Sequence, residues 1–344
     1  MPSRRALLAG LAASAVAPAW AATGATHLAA ARMSSGSYAL IGLTSVADIA
    51  FRIPLPARGH AAAAHPFRPQ AVAFARRPGT FGMVIDCGTG AVIARLAAPA
   101  GRHFYGHGAY TADGAHLLTT ENAFATGEGR IGIWDSVDWR RVDEVPSGGI
   151  GPHEILRLAS GRFAIANGGI RTHPDRGREK LNLDTMRPNL AYLRDGTVAD
   201  IVELPALRQA SIRHLAAAGD RVAMALQWEG PESRVTPLLA LHGPGAAAEL
   251  LDAGPEQAAL RGYAGSVAFS GDGRHVAITA PRGGLAHIYH AAEGALHETV
   301  RRAEICGVAP DADGLMFTDG LGGVLRAAGA TRHPVAWDNH LVAL

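Results

Sequence analysis

The chain alternates short apolar runs, roughly four to eight residues each, with turns rich in glycine and aspartate, a pattern that predicts strands rather than helices. Residues 104–149 show it most clearly. Tyr105-Gly-His-Gly-Ala-Tyr, His116-Leu-Leu-Thr-Thr-Glu, Gly129-Arg-Ile-Gly-Ile-Trp-Asp and Arg140-Arg-Val-Asp-Glu-Val read as four successive strands. Ala112-Asp-Gly-Ala between the first two supplies a hairpin turn, since Asp-Gly readily adopts the backbone such turns require.

Five further segments align with this unit, at 59–99, 151–206, 211–254, 262–302 and 303–337. Four-stranded units recurring at this spacing are the signature of β-propeller blades. Both ends of the chain leave strands over. The C-terminal Asp338-Asn-His-Leu-Val-Ala-Leu reads as one inner strand, and His27-Leu-Ala-Ala-Ala-Arg, Tyr38-Ala-Leu-Ile-Gly-Leu and Ile49-Ala-Phe-Arg-Ile-Pro read as three more. Together they make a seventh blade, and such closure removes two sheet edges that would otherwise invite aggregation. The expected fold is therefore all-β, a seven-bladed propeller of about 46 residues per blade, closed by one C-terminal and three N-terminal strands. A β-sandwich with a small second domain would leave the end strands unexplained.

Composition agrees: 42 glycines, 20 prolines and a charged fraction of 18% favour short strands and tight turns. A net charge of +2 gives no support to a nucleic-acid partner. Ser3-Arg4-Arg5-Ala6-Leu7-Leu8, an apolar stretch and Ala19-Trp20-Ala21 resemble a twin-arginine export signal with a small-x-small cleavage site. Residues 1–21 are thus expected to be a leader removed near Ala21, and 22–344 a single periplasmic domain, read as a monomer. No later run is long and apolar enough for a membrane span. Cys87 and Cys306 fall on non-adjacent blades and are expected to be free thiols. No G-x-S-x-G, P-loop or paired-cysteine motif occurs.

Candidate chemistry lies in a recurring histidine. His60, His107, His153, His214 and His340 occupy equivalent inner-strand positions in contiguous blades, while the other two blades place Gly265 or Ser266 and Cys306 there. Inner strands of a propeller line its central channel, so these side chains converge. Neutral imidazole binds Cu, Fe, Zn and Ni, and a thiol favours softer ions, so all five histidines and Cys306 are candidate ligands. Iron or copper is the suspected metal. Carboxylates are sparse, Glu154 being the nearest, which disfavours calcium. The alternative is a polar channel that only orders water. His65 and His103 lie near the same end by sequence and read as exposed loop histidines, with a further ligand role the alternative. The connection from Gly168 to Pro188 carries Arg171, Arg176, Arg178, Lys180 and Arg187, and forked guanidiniums suit an anionic ligand or acidic partner.

Several segments together resemble a family of uncharacterised exported bacterial proteins, the DUF1513 family. These are Arg58-Gly-His, His65-Pro, Ala75-Arg-Arg-Pro-Gly, Phe104-Tyr-Gly-His-Gly, Thr120-Glu-Asn, Gly151-Pro-His-Glu, Ala166-Asn-Gly-Gly-Ile, Leu181-Asn-Leu-Asp-Thr-Met and Ser211-Ile-Arg-His-Leu. The resemblance spans nearly the whole expected mature chain. It implies a periplasmic, propeller-like protein whose genes neighbour those of imelysin-type iron-uptake lipoproteins and a di-haem oxidoreductase-like protein. It supplies no activity and no residue roles. Three functions follow as expectations: a propeller binding a transition metal or metal complex in iron or copper acquisition, a non-catalytic scaffold docking imelysin-type iron-uptake partners, or a metal-dependent oxidoreductase or hydrolase.

Overall fold

Seven four-stranded antiparallel sheets make the chain a seven-bladed β-propeller. The computed structural model describes residues 19–76, 81–177 and 179–344. Residues 1–18 of the expected leader, residues 77–79 of the arginine-proline stretch, and Arg178 lie outside the described residues.

Blade 1 comprises Gly59–Ala64, Gln70–Ala75, Phe81–Asp86 and Val92–Ala97; blade 2 comprises Arg102–Tyr110, His116–Ala123, Glu128–Asp135 and Arg141–Pro146. Blade 3 comprises Pro152–Arg157, Phe163–Asn167, Asn189–Arg194 and Thr197–Glu203, and blade 4 Ala210–Ala218, Arg221–Trp228, Leu239–His242 and Glu249–Leu251. Blade 5 comprises Ser266–Phe269, His275–Ala280, Leu285–His290 and Leu296–Arg301, and blade 6 Ile305–Asp311, Gly314–Asp319, Gly323–Arg326 and Gly329–Arg332. The closing blade orders Val335–Ala343, His27–Met33, Tyr38–Leu43 and Ile49–Leu55, as the leftover strands predict. Its end-to-end pairing runs from His27 opposite Ala343 to Met33 opposite Val335.

The chain forms two compact units, one of residues 62–212 with 19–23, the other of residues 24–61 with 213–344. In each, the core lies between neighbouring sheets. Adjacent residues of a strand point to opposite faces. Leu117 therefore joins Val72, Phe74, Phe104 and Trp134 on one face, while Leu118 joins Ile131, Ile155, Phe163 and Ile165 on the other. A central strand is thus apolar on both faces, which is why these strands read as continuous apolar runs. In the second unit, Ile41, Leu43, Met316, Trp337 and Leu341 form one core, and Ala277, Ile288, Val308 and Phe317 belong to another. Outer strands such as Thr197–Glu203 are largely exposed and charged, which guards their free edges.

Ala19–Thr23 forms a short 3-10 turn in which Trp20 is buried and its indole N–H donates to the His65 carbonyl at 2.9 Å. No helix among the described residues is long and apolar enough to cross a membrane.

Candidate metal centre

All five recurring histidines lie on the first strand of their blades and are buried. Local irregularity places three of them. The first two strands of blade 2 slip register between Phe104 and Gly108, so Tyr105, Gly106 and His107 escape the regular ladder. Gly106 has φ +97°, a conformation that glycine alone adopts cheaply. Gly108 is equally constrained, because a Cβ there would lie 2.8 Å from Phe74 Cζ and 2.9 Å from the Leu118 carbonyl oxygen. In blade 3 the slip falls between Pro152 and Glu154, at His153. In the closing blade it separates the pairings of Leu341 and Trp337, and so contains His340. Bulges of this kind re-aim side chains and gather near functional sites.

In the first unit, the His107 and His153 rings lie 5.2 Å apart at an interplanar angle of 47°. Glu154 Oε1 is 3.7 Å from His107 Nδ1. In the second unit, the His340 ring contacts His60 at 4.5 Å and His214 at 4.6 Å. His60 and His340 have ligand nitrogens within 4.8 Å of each other, as do His107 and His153, and both pairs belong to buried histidine groups that could hold a metal ion. Arg58, two residues before His60, donates through Nε to Asp338, two residues before His340, at 2.5 Å. Asp338 is buried, so this ion pair ties the start of the His60 strand to the middle of the His340 strand.

Cys306 has a different setting. Its sulfur lies 3.6 Å from the Thr318 carbonyl oxygen, 3.7 Å from that of Trp337 and 3.4 Å from that of Asp338. Burial pushes the thiol up to about 12, which favours its protonated form. It packs in the apolar core with Met316 and Trp337. Both cysteines are free and buried, as their blade positions predict.

The arginines of the long blade 3 connection take separate partners. Arg171 donates to the Ala125 carbonyl at 3.0 Å, Arg176 pairs with Glu179 at 3.2 Å, and Arg187 pairs with Glu203 at 2.9 Å. Asn182 braces the loop by accepting from Arg171 N and donating to the Gly169 carbonyl.

His65 and His103 are buried, not exposed as their loop-like sequence context predicts. His65 Nδ1 accepts from the backbone N–H of Phe67 and of Arg68, each at 3.0 Å, so its proline turn folds inward over its own ring. His103 stacks on Phe124 with ring centroids 6.1 Å apart and meets Tyr105 edge-on.

The model of a protein family of unknown function, DUF1513, matches residues 53–344, a span containing all five first-strand histidines. The chain belongs to the DUF1513 family. No curated protein matches its sequence. Among solved structures it resembles the hydrazine synthase of Kuenenia stuttgartiensis, with a TM-score of 0.61 at 12% identity over 94% of this chain and 98% of that one. It also resembles BBS1N, solved in complex with ARL6DN, with a TM-score of 0.55 at 12% identity over 93% of this chain and 88% of that one. Identities this low show a shared propeller fold and nothing more.

This DUF1513 chain carries one histidine group that sequence reasoning missed, His275, His290 and His297 in blade 5. Its three members sit on three different strands, and only strand register brings them together.

Proposed function

We propose that the first-strand histidines bind a transition-metal ion, or a small complex of one, and that the protein serves iron or copper acquisition in the periplasm. The observation that carries this reading is the pairing of buried imidazoles, His60 with His340 and His107 with His153, on strands whose backbones are held in place. Imidazole nitrogens suit copper, iron, zinc and nickel, and a rigid scaffold that presents several of them lowers the cost of ordering ligands on binding.

A bound ion would supply Lewis acidity or, if iron or copper, redox capacity. The chain's own residues do the positioning. Glu154 Oε1 stands 3.7 Å from His107 Nδ1, so a small side-chain shift would let it accept from Nδ1 and leave Nε2 for a ligand. The Arg58–Asp338 pair holds the strands bearing His60 and His340. The candidate ligands are His107 and His153 in the first unit and His60, His214 and His340 in the second, with Cys306 as a softer candidate that also packs in the core. Export is part of the proposal, supported by Arg4-Arg5 before an apolar stretch and Ala19-Trp20-Ala21. An imelysin-type partner is the corresponding expectation for uptake.

The test is calorimetric titration of tag-free protein with Cu²⁺ and, anaerobically, Fe²⁺. The His107→Ala/His153→Ala variant should lose one class of site that wild type shows. Equal stoichiometry and affinity in the two would remove these histidines from the site.

A further inference from the structure

His275 opens the second strand of blade 5, His290 closes the third, and His297 lies in the fourth. His275 and His290 are direct cross-strand partners. Between the third and fourth strands the register slips: Ile288 faces Glu298 while Tyr289 faces Leu296, which leaves His297 as the extra, bulged residue. A bulge turns a side chain away from strict alternation. Here it accompanies three rings in mutual contact, with centroid separations of 5.1 Å for His275–His290, 4.7 Å for His275–His297 and 4.4 Å for His290–His297. Their ligand nitrogens all lie within 4.8 Å of one another.

The framework is stiff. Ser270 Oγ accepts from His275 N at 3.0 Å, His290 N donates to the Ala295 carbonyl at 2.9 Å, and Gly294 N donates to the His290 carbonyl at 2.9 Å. His275 Nε2 is buried and makes no hydrogen bond, so it is a donor atom with its lone pair or proton unused. A cleft of about 310 Å³ adjoins the group, lined by His275, His297, Ile288, Phe317 and Leu325.

We infer that His275, His290 and His297 form a second metal site, at the surface, for a divalent ion of the zinc, copper or nickel class. Side-chain rotation that brings the nitrogens to about 3.4 Å from one another completes one face of a tetrahedral sphere. Three protein ligands leave at least one coordination position open to water or to a small anionic ligand. The site is independent of the first-strand histidines, and so of the function proposed above.

The experiment is calorimetric titration of full-length, tag-free, chelator-stripped protein with Zn²⁺. The His290→Ala/His297→Ala variant should lose one class of Zn²⁺ site or bind at it about tenfold or more weakly, since even outer-shell changes reach that size. His107→Ala/His153→Ala should retain that class. His297 is exposed, so His297→Gln serves as a variant that keeps the fold and should show the same weakening, with an unchanged far-ultraviolet circular dichroism spectrum. Wild type that binds no Zn²⁺, or unaltered binding in both His297 variants, would overturn the inference.

Discussion

His65 accepts two backbone hydrogen bonds through Nδ1, and burial, aided by the Arg68 charge, holds its pKa down to about 4 from an ordinary 6.5. Protonation therefore favours the unfolded chain. The stability that His65 contributes is complete above pH 6.5 and is lost as pH falls to about 4. Denaturant unfolding across that window should show stability falling in wild type and a flatter dependence in His65→Gln; identical slopes would contradict the assignment. The residue also marks what the sequence left unread. His65-Pro66 resembles a solvent loop, and its burial comes from contacts distant in sequence, including the Trp20 indole on its carbonyl. The first-strand histidines were legible because they recur at the same place in five of the seven blades. His275, His290 and His297 were not, because three strands of one blade contribute one each and the bulge that presents His297 has no sequence signature.

At the scale of elements, turn chemistry and apolar runs located most strands, while their ends and irregularities stayed hidden. The first strand of blade 2 begins at Arg102, earlier than the apolar run starting at Tyr105 suggests, because Arg102 is held by Glu121 and Glu144. After the three-residue strand Glu249–Leu251, the chain turns into a 3-10 helix over Gly254–Leu260 instead of adding strand. The bulges matter most for function. Gly106, at φ +97°, sets the path of the backbone into His107. Gly106→Ala should cost about 1–3 kcal/mol of unfolding free energy and weaken metal binding together with it. A loss under about 0.5 kcal/mol, measured by denaturant titration, would show that the backbone there carries no special demand.

For the whole molecule, the closing blade is the decisive element, and the strands left over at the two chain ends make it legible in the sequence. Val335–Ala343 pairs with His27–Met33 and brings Trp337 and Leu341 into the core with Ile41 and Leu43. Deleting residues 335–344 removes that core contribution and leaves an unpaired edge on the His27–Met33 strand. The truncated chain should lose its cooperative thermal transition or aggregate; a transition like that of the full chain would show that closure is dispensable. Fold was readable because blades repeat. Function was readable only as chemistry, since imidazoles name a class of ligand and not a reaction. The most direct test of the metal-binding account is elemental analysis of protein produced in its native host and purified without a histidine tag or chelator, on a His290→Ala/His297→Ala background that silences the surface group. Near-stoichiometric copper or iron, lost when His107 and His153 are also replaced by alanine, is the result the account predicts. A metal-free protein that takes up neither ion when they are added would contradict it.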